Sequence, residues 1–217
     1  MDFKKIAQKF YSDKVKLYDV NKKNWFGHCY DITYSKIFEN LDRNKKLKIL
    51  EIGIGLGDHY NGMKNRCIEY TQGASLKLWA EYFPNSKIVG WDIYHCDKIH
   101  NFNIETYVLD ATNKDDIDNF FGNNNYKFDI IIDDGSHYEE HQVKSLMYLH
   151  EHLENGGFYI IEDILGHNIE KFKTLQPFPS NFLEEVINKN FEVSFYDTRK
   201  ESGDINDFII CFKKKNN

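Results

Sequence analysis

Proline is nearly absent, with three residues in 217, and no proline-rich or glycine/serine-rich stretch marks a linker between domains. There is no internal repeat and no low-complexity segment. No apolar run approaches the length of a membrane-spanning helix, and no secretory leader pattern opens the sequence, so neither export nor membrane insertion is expected. The four cysteines, Cys29, Cys67, Cys96 and Cys211, show no paired spacing, which fits reduced thiols in the cytoplasm better than a disulfide framework. Basic charge is not in excess either. A net charge of −6 with no basic face argues against nucleic acid or anionic membrane as partners, and Lys213–Lys215 reads as a solvated end. What remains is an ordinary soluble composition, 41% apolar and 29% charged, long enough for one α/β domain and short for two. The expectation is one domain over residues 1–217, with a helical cap over 1–45 and a core over 46–217.

The chain is organised around Phe128 to Ile164. Two short apolar runs, Phe128-Asp-Ile-Ile-Ile-Asp-Asp134 and Gly157-Phe-Tyr-Ile-Ile-Glu-Asp163, flank a helix-like segment that ends near Leu153. Strand, helix, strand is a βαβ unit, so these strands are predicted to be parallel and buried on both faces. Ligands of open parallel α/β sheets bind at the carboxyl ends of the strands, where Asp133, Asp134, Glu162 and Asp163 fall. Carboxylates packed that closely repel unless something positive sits among them, and a divalent metal is the simplest candidate.

Upstream, residues 2–11 and Tyr30 to Leu41 carry helical spacing and are expected to cap the sheet. Lys48 to Ile54 is the first strand, Lys87 to Ile93 the second and Glu105 to Leu109 the third. Asp58 to Gln72 reads as an irregular loop. Helices are expected over Leu76 to Phe83, with Pro84 as the stop, and over Asp115 to Phe121. Asn181 to Asn190 reads as helix, and Phe191 to Tyr196 with Asp207 to Phe212 as an antiparallel closing pair, because the connection is too short for a crossover helix. Seven strands with helices between the first five, finished by an antiparallel hairpin, is an α/β, Rossmann-like plan with a mostly parallel sheet: the class I methyltransferase plan.

A glycine-rich turn, Gly53-x-Gly55-x-Gly57, follows the first strand and would let a ligand approach the backbone amides. Asp92, at the end of the second strand, could accept both hydroxyls of a ribose, and Asp110 ends the third strand where an adenine would lie. The glycine-to-acid spacing is nearer forty residues than the roughly twenty of a nicotinamide fingerprint, and no hydride-transfer constellation is evident.

Glu51-Ile-Gly-Ile-Gly, Gly73-Ala-Ser-Leu-Lys-Leu-Trp-Ala-Glu-Tyr-Phe-Pro84, Gly90-Trp-Asp-Ile93, Ile132-Asp-Asp-Gly-Ser-His137 and Tyr159-Ile-Ile-Glu-Asp163 together resemble the S-adenosylmethionine-dependent sugar O-methyltransferases. The group in view is the macrolide-sugar (mycinamicin and macrocin) type, with the cephalosporin-biosynthesis methyltransferase-like proteins as relatives. The resemblance runs roughly from Ser12 to Asp163. It implies S-adenosylmethionine as donor and S-adenosylhomocysteine as product, with Mg²⁺ on Asp134, Glu162 and Asp163 and His137 as the base. It also implies a donor site including Glu51, Gly53, Gly55, Ser75, Asp92, Asp110 and Asp133. Asp13, His28 and Tyr30 resemble elements that fold over the cofactor and acceptor, and His167, just after the metal carboxylates, would flank the acceptor. Oligomers occur in that group, but no interface is legible here.

The chemistry suits these residues. A sugar hydroxyl is a poor nucleophile until its proton is removed or its pKa lowered. Clustered carboxylates fit a hard, oxygen-preferring cation that could orient two vicinal hydroxyls of the acceptor. Histidine is the usual proton acceptor near neutrality. His141, one turn beyond His137, lacks the glutamate placement of a zincin and is read as structural; Trp79 and Tyr82 are read as core. Two alternatives stay open: a donor- or nucleotide-binding protein without turnover, and a methyltransferase acting on a non-sugar diol.

Overall fold

Short runs of Ile, Val, Leu and aromatic residues form the centre of the molecule, a seven-stranded sheet in the order β5-β4-β3-β6-β7-β9-β8. The computed structural model describes residues 2–19, 22–67, 69–96, 99 and 103–216. Its strands are β3 (Lys48–Ile52), β4 (Lys87–Asp92), β5 (Ile104–Val108), β6 (Phe128–Asp133), β7 (Leu153–Ile161), β8 (Phe191–Asp197) and β9 (Phe208–Lys214). The first five pair in parallel, while β9 runs antiparallel to both β7 and β8. The last pair therefore inserts backwards, with β9 interior and β8 at the edge. Two further short strands, β1 (Leu17–Asp19) and β2 (Asn24–Phe26), make a separate antiparallel ribbon.

Both faces of the sheet are covered, and the strands alternate between them. Ile49, Ile130, Ile132 and Ile160 pack under α1 (Phe3–Lys9), α2 (Tyr30–Ile37) and α4 (Ala74–Tyr82) with Phe3, Tyr34, Trp79 and Phe83. Leu50, Val89, Ile131, Tyr159, Ile161 and Phe212 pack on the other side. They meet α5 (Lys114–Asn123), α6 (Glu139–Leu149) and the segment from α7 (Ile169–Lys173) to β8. The period-2 rule places the polar members too: Glu51 and Glu162 continue the alternation onto the α1/α2/α4 face, where both are fully buried. Trp79 and Tyr82 are core residues, as expected.

Two sequence expectations need correction. Residues 58–72 are not a plain loop: Gly57–Arg66 is a helix, α3, although Ile68 lies outside the described residues. The helix carries Asp58 in its first turn and Lys64 and Arg66 in its last, which favours it electrostatically. It was hard to read because only Met63 is buried, leaving no apolar stripe to reveal the 3.6-residue period. Between β4 and β5, no helix occurs among the described residues. Elsewhere, the segment from Ser180 to Asn190 is helical with a π turn over Leu183–Ile187, and one helical turn, Arg199–Ser202, lies in the β8–β9 connection. No helix among the described residues is long and apolar enough to cross a membrane.

Helix α3 permits a direct check. A Cβ built on Gly62 meets nothing within 4 Å. Gly62→Ala is therefore expected to stabilise the protein by about 0.5–1 kcal/mol, raising Tm by roughly 1–4 °C. Thermal denaturation followed by circular dichroism reads this; a loss of stability would mean the segment is not helical in solution.

Candidate active site

All the parallel strands point their carboxyl ends at one cleft of about 330 Å³. The loop after β3 forms its floor. Gly53 has φ +78°, and a Cβ there would lie 2.1 Å from the carbonyl oxygen of Asp134, so the β3 and β6 loops cross in near contact. Asp92, which ends β4, accepts from the Ile54 amide at 3.1 Å and the Tyr94 amide at 3.0 Å, and lies on the cleft wall. Asp110 also lines the cleft and is held by the Thr112 amide and hydroxyl at 2.8 and 2.7 Å. Ile93 and Tyr94, both more than half exposed, form an apolar rim beside Asp92. Carboxylates at two strand ends with an apolar surface between them suit a nucleoside.

Glu51 takes a different place from the rest of the expected donor set. It stands behind the wall, fully buried, accepting from Ser75 Oγ at 2.6 Å and Trp79 Nε1 at 3.1 Å. Ser75 itself reaches the cleft, as do Gly55 and Asp133. Asp133 is almost inaccessible, and burial pushes its carboxyl up to about 6 despite the Gly135 amide bond. The sign follows. The folded carboxyl keeps its proton to about pH 6 while the unfolded one loses it near pH 3.8, so the folded state binds more protons in between and stability falls across that window. Asp133→Asn is expected to remove this fall, and the wild-type deficit above pH 6 should reach the order of 2–3 kcal/mol. Urea titrations of both proteins at pH 4 and pH 7 measure it; parallel pH profiles would refute it.

The acidic half lies across β6 and β7. Asp134, His137 and Asp163 present one ligand atom each, all within 4.8 Å of one another. His137 Nε2 is 3.8 Å from Asp163 Oδ2, while His137 Nδ1 is buried without a partner. His137 is not yet helical, since α6 begins at Glu139; its φ is +61°, and that of Asp163 is +50°. Left-handed backbone at two non-glycine residues of one cleft is a cost the rest of the fold must hold in place. Asp163 also accepts from the Tyr30 hydroxyl and lies 3.6 Å from His28 Nδ1. His28 stacks on Tyr30 and pairs with the buried carboxylate of Asp207. Burial opposes its charge, but Asp163, Asp207 and Asp13 outweigh it and push His28 up to about 10, so it is cationic at neutral pH.

The third expected metal ligand is engaged elsewhere. Glu162 accepts from Lys14 Nζ at 2.5 Å on one oxygen and from the Tyr34 hydroxyl on the other. Lys14 also reaches Asp134 Oδ2 at 2.9 Å and Glu51 Oε1 at 3.1 Å. Burial would lower the lysine pKa, yet the charges of Asp134, Glu162 and Glu51 hold it well above the ordinary value. The donor set fits a hard cation at Asp134 and Asp163, with His137 adjacent; Glu162 could join only by giving up its bond to Lys14.

Asp13 lies at the mouth of the cleft, 3.3 Å from His59 Nε2 on α3. His167 is not brought in: it is exposed on a 3₁₀ turn, off the cleft wall. The chain after Asp163 is tied toward β9 here, with the Ile164 amide donating to the Phe208 carbonyl and the Gly166 amide to Asn206 Oδ1 at 3.0 Å. Sequence reading passed over Lys14 as a bonding residue, His59, Tyr70 and Asp207. His59 and Tyr70 lie in a segment whose sequence carries no helical stripe, and a single acid before a strand, as at Asp207, gives no signal at all.

No family model matches the chain. It is 33% identical over 161 residues to L-olivosyl-oleandolide 3-O-methyltransferase of Streptomyces antibioticus, covering 73% of this chain and 36% of that protein. It is 34% identical over 142 residues to mycinamicin VI 2''-O-methyltransferase of Micromonospora griseorubida, covering 64% and 32%. The chain thus spans about a third of the length of the curated relatives it matches. Among solved structures, it superposes on the MycE methyltransferase of the mycinamycin biosynthetic pathway, in complex with Mg and SAH, with a TM-score of 0.71 and 23% identity. That match covers 100% of this chain and 55% of the other.

Proposed function

We propose that this chain, which has the class I methyltransferase fold and is similar to sugar O-methyltransferases, is an S-adenosylmethionine-dependent, Mg²⁺-dependent O-methyltransferase acting on a hydroxyl of a sugar or glycosylated small molecule. The observation that carries this reading is one cleft that joins Asp92 and Asp110 to the Asp134–His137–Asp163 cluster. The relatives support the acceptor class: two are named for O-methylation of an olivosyl-oleandolide and of mycinamicin VI, and one MycE structure contains Mg, SAH and mycinamycin VI.

Asp92 would hold the ribose hydroxyls of the donor and Asp110 would lie by its base, with the β3 loop closing on the tail. Asp134 and Asp163, joined by Glu162 if Lys14 releases it, would hold the cation. When bound, the donor supplies an electrophilic methyl on a sulfonium, and the cation supplies charge that stabilises an alkoxide. The chain's own part is deprotonation and placement. His137 accepts the hydroxyl proton at Nε2, and Asp163 Oδ2, 3.8 Å away, stabilises the imidazolium that forms. Protonated His28, stacked on Tyr30, limits the negative charge around Asp163 and closes the acceptor side. Residues 1–45 act as cap and lid in this reading, within one domain, and the free cysteines support a reducing, cytoplasmic setting.

Calorimetric titration of S-adenosylhomocysteine and of Mg²⁺ into the wild type and Asp134→Ala tests it. Micromolar donor-product binding with a Mg²⁺ heat that vanishes in the variant is the expected result. Absence of any binding by S-adenosylhomocysteine would sink the methyltransferase reading.

A further inference from the structure

Lys14 is buried, and its ammonium group faces three carboxylates and the ring of Trp79. Nζ lies 3.1 Å from Glu51, 2.9 Å from Asp134 and 2.5 Å from Glu162. The three carboxylates come from the ends of three neighbouring strands, β3, β6 and β7. Glu51 lies behind the cleft wall and Glu162 lines the cleft while buried, so that Asp134 is the one of the three that is partly exposed there. Asp134 is therefore shared between an internal cation on one side and Asp163, with His137 adjacent, on the other.

We propose that Lys14 is a built-in placeholder cation that neutralises the acidic centre of the metal-free protein and yields Asp134 when a divalent ion binds. The inference rests on the metal-dependent reading above. Physically, three carboxylates brought together out of water repel strongly, and a metal-free chain needs some positive group among them to fold. The ammonium meets that need from within. The consequence is competition: a divalent ion held by Asp134 sits next to a fixed positive charge in a poorly screened setting, and its affinity is set below what the carboxylates alone would give. Glu51, which is not offered to the metal, keeps Lys14 in place, so it shifts its bonds without leaving the site. Such an arrangement keeps the strand ends assembled whether or not an ion is present.

The test uses Mn²⁺ alone as the probe, added to the metal-free protein without donor or acceptor. Its affinity is read by calorimetry, and its effect on Tm by thermal unfolding. Lys14→Met is expected to bind Mn²⁺ roughly tenfold tighter or more than the wild type, with a larger rise in Tm at saturation. Because loss of the ammonium endangers folding, Lys14→Met/Glu51→Gln serves as a second variant. It removes the cation together with the one partner that is not offered to the metal, and tighter binding is expected there too. A merely structural lysine would not produce tightening when lost, so equal or weaker Mn²⁺ binding in a folded variant overturns the placeholder while leaving the metal site standing. Failure of the wild type and both variants to bind Mn²⁺ overturns the placeholder and the metal-dependent reading together.

Discussion

His137→Asn is expected to lower kcat by about 10²–10⁴-fold, the usual worth of a positioned general base, while S-adenosylhomocysteine binds as it does to the wild type. Asparagine is the substitution of choice because of the backbone. His137 has φ +61°, a conformation that alanine adopts reluctantly and asparagine tolerates. Its orphaned, buried Nδ1 means that no hydrogen bond from the ring holds the loop, so the loss reports chemistry rather than collapse. The competing candidate in the same cleft, His28, is held cationic by Asp163 and Asp207 and is a poor proton acceptor. Steady-state kinetics with an accepted glycoside, alongside calorimetry, separates the two effects. Activity within about fivefold of wild type would remove His137 as the base, given what such a base contributes.

The second large effect is on folding. Gly53→Ala is expected to prevent accumulation of soluble protein, or to lower its stability by more than about 4 kcal/mol. The new methyl group would meet the Asp134 carbonyl oxygen at 2.1 Å and Gly135 Cα at 2.7 Å, and both are backbone atoms that cannot rotate away. The left-handed φ of +78° adds strain of its own. Gly55→Ala is the matched control. Its nearest contact, at 2.5 Å, is the hydroxyl at the far end of the Tyr70 side chain, which can give way. Soluble yield and urea midpoints of the two variants decide it; equal stabilities would contradict the close crossing of the β3 and β6 loops.

Gly53 also shows where the sequence was legible and where it was not. The glycine-rich turn could be seen, but its meaning was read as room for a ligand. The structure assigns Gly53 to a crossing of two loops, which depends on a residue eighty positions away and cannot be inferred locally. The parallel strands were legible because burial on both faces demands short apolar runs of Ile, Leu and aromatic residues, and acidic residues follow them at the cleft. Glu162 and Asp163 are adjacent in sequence and meet different partners, because successive residues leaving a strand turn to opposite sides: one meets Lys14 and Tyr34, the other His28, Tyr30 and His137. Nothing in the chain near Lys14 announces that it will meet Glu162, 148 positions on. Helix α3 gives no apolar signal for a simpler reason, since it offers water a polar surface nearly all round.

Strand β3 takes β4 as one neighbour and β6 as the other, and the second partner lies roughly eighty residues along the chain. The β3–β6 seam runs through the middle of the cleft, with Asp92 and Asp110 on one side and Asp134 and Asp163 on the other. Joining it requires closing a long loop before any contact rewards the closure, which places it among the slow, late events of refolding. A molecule lying across the seam finds its complete site only after that barrier is crossed. Such a molecule should leave the refolding rate nearly unchanged and slow unfolding instead, so that occupancy lengthens the lifetime of the native state.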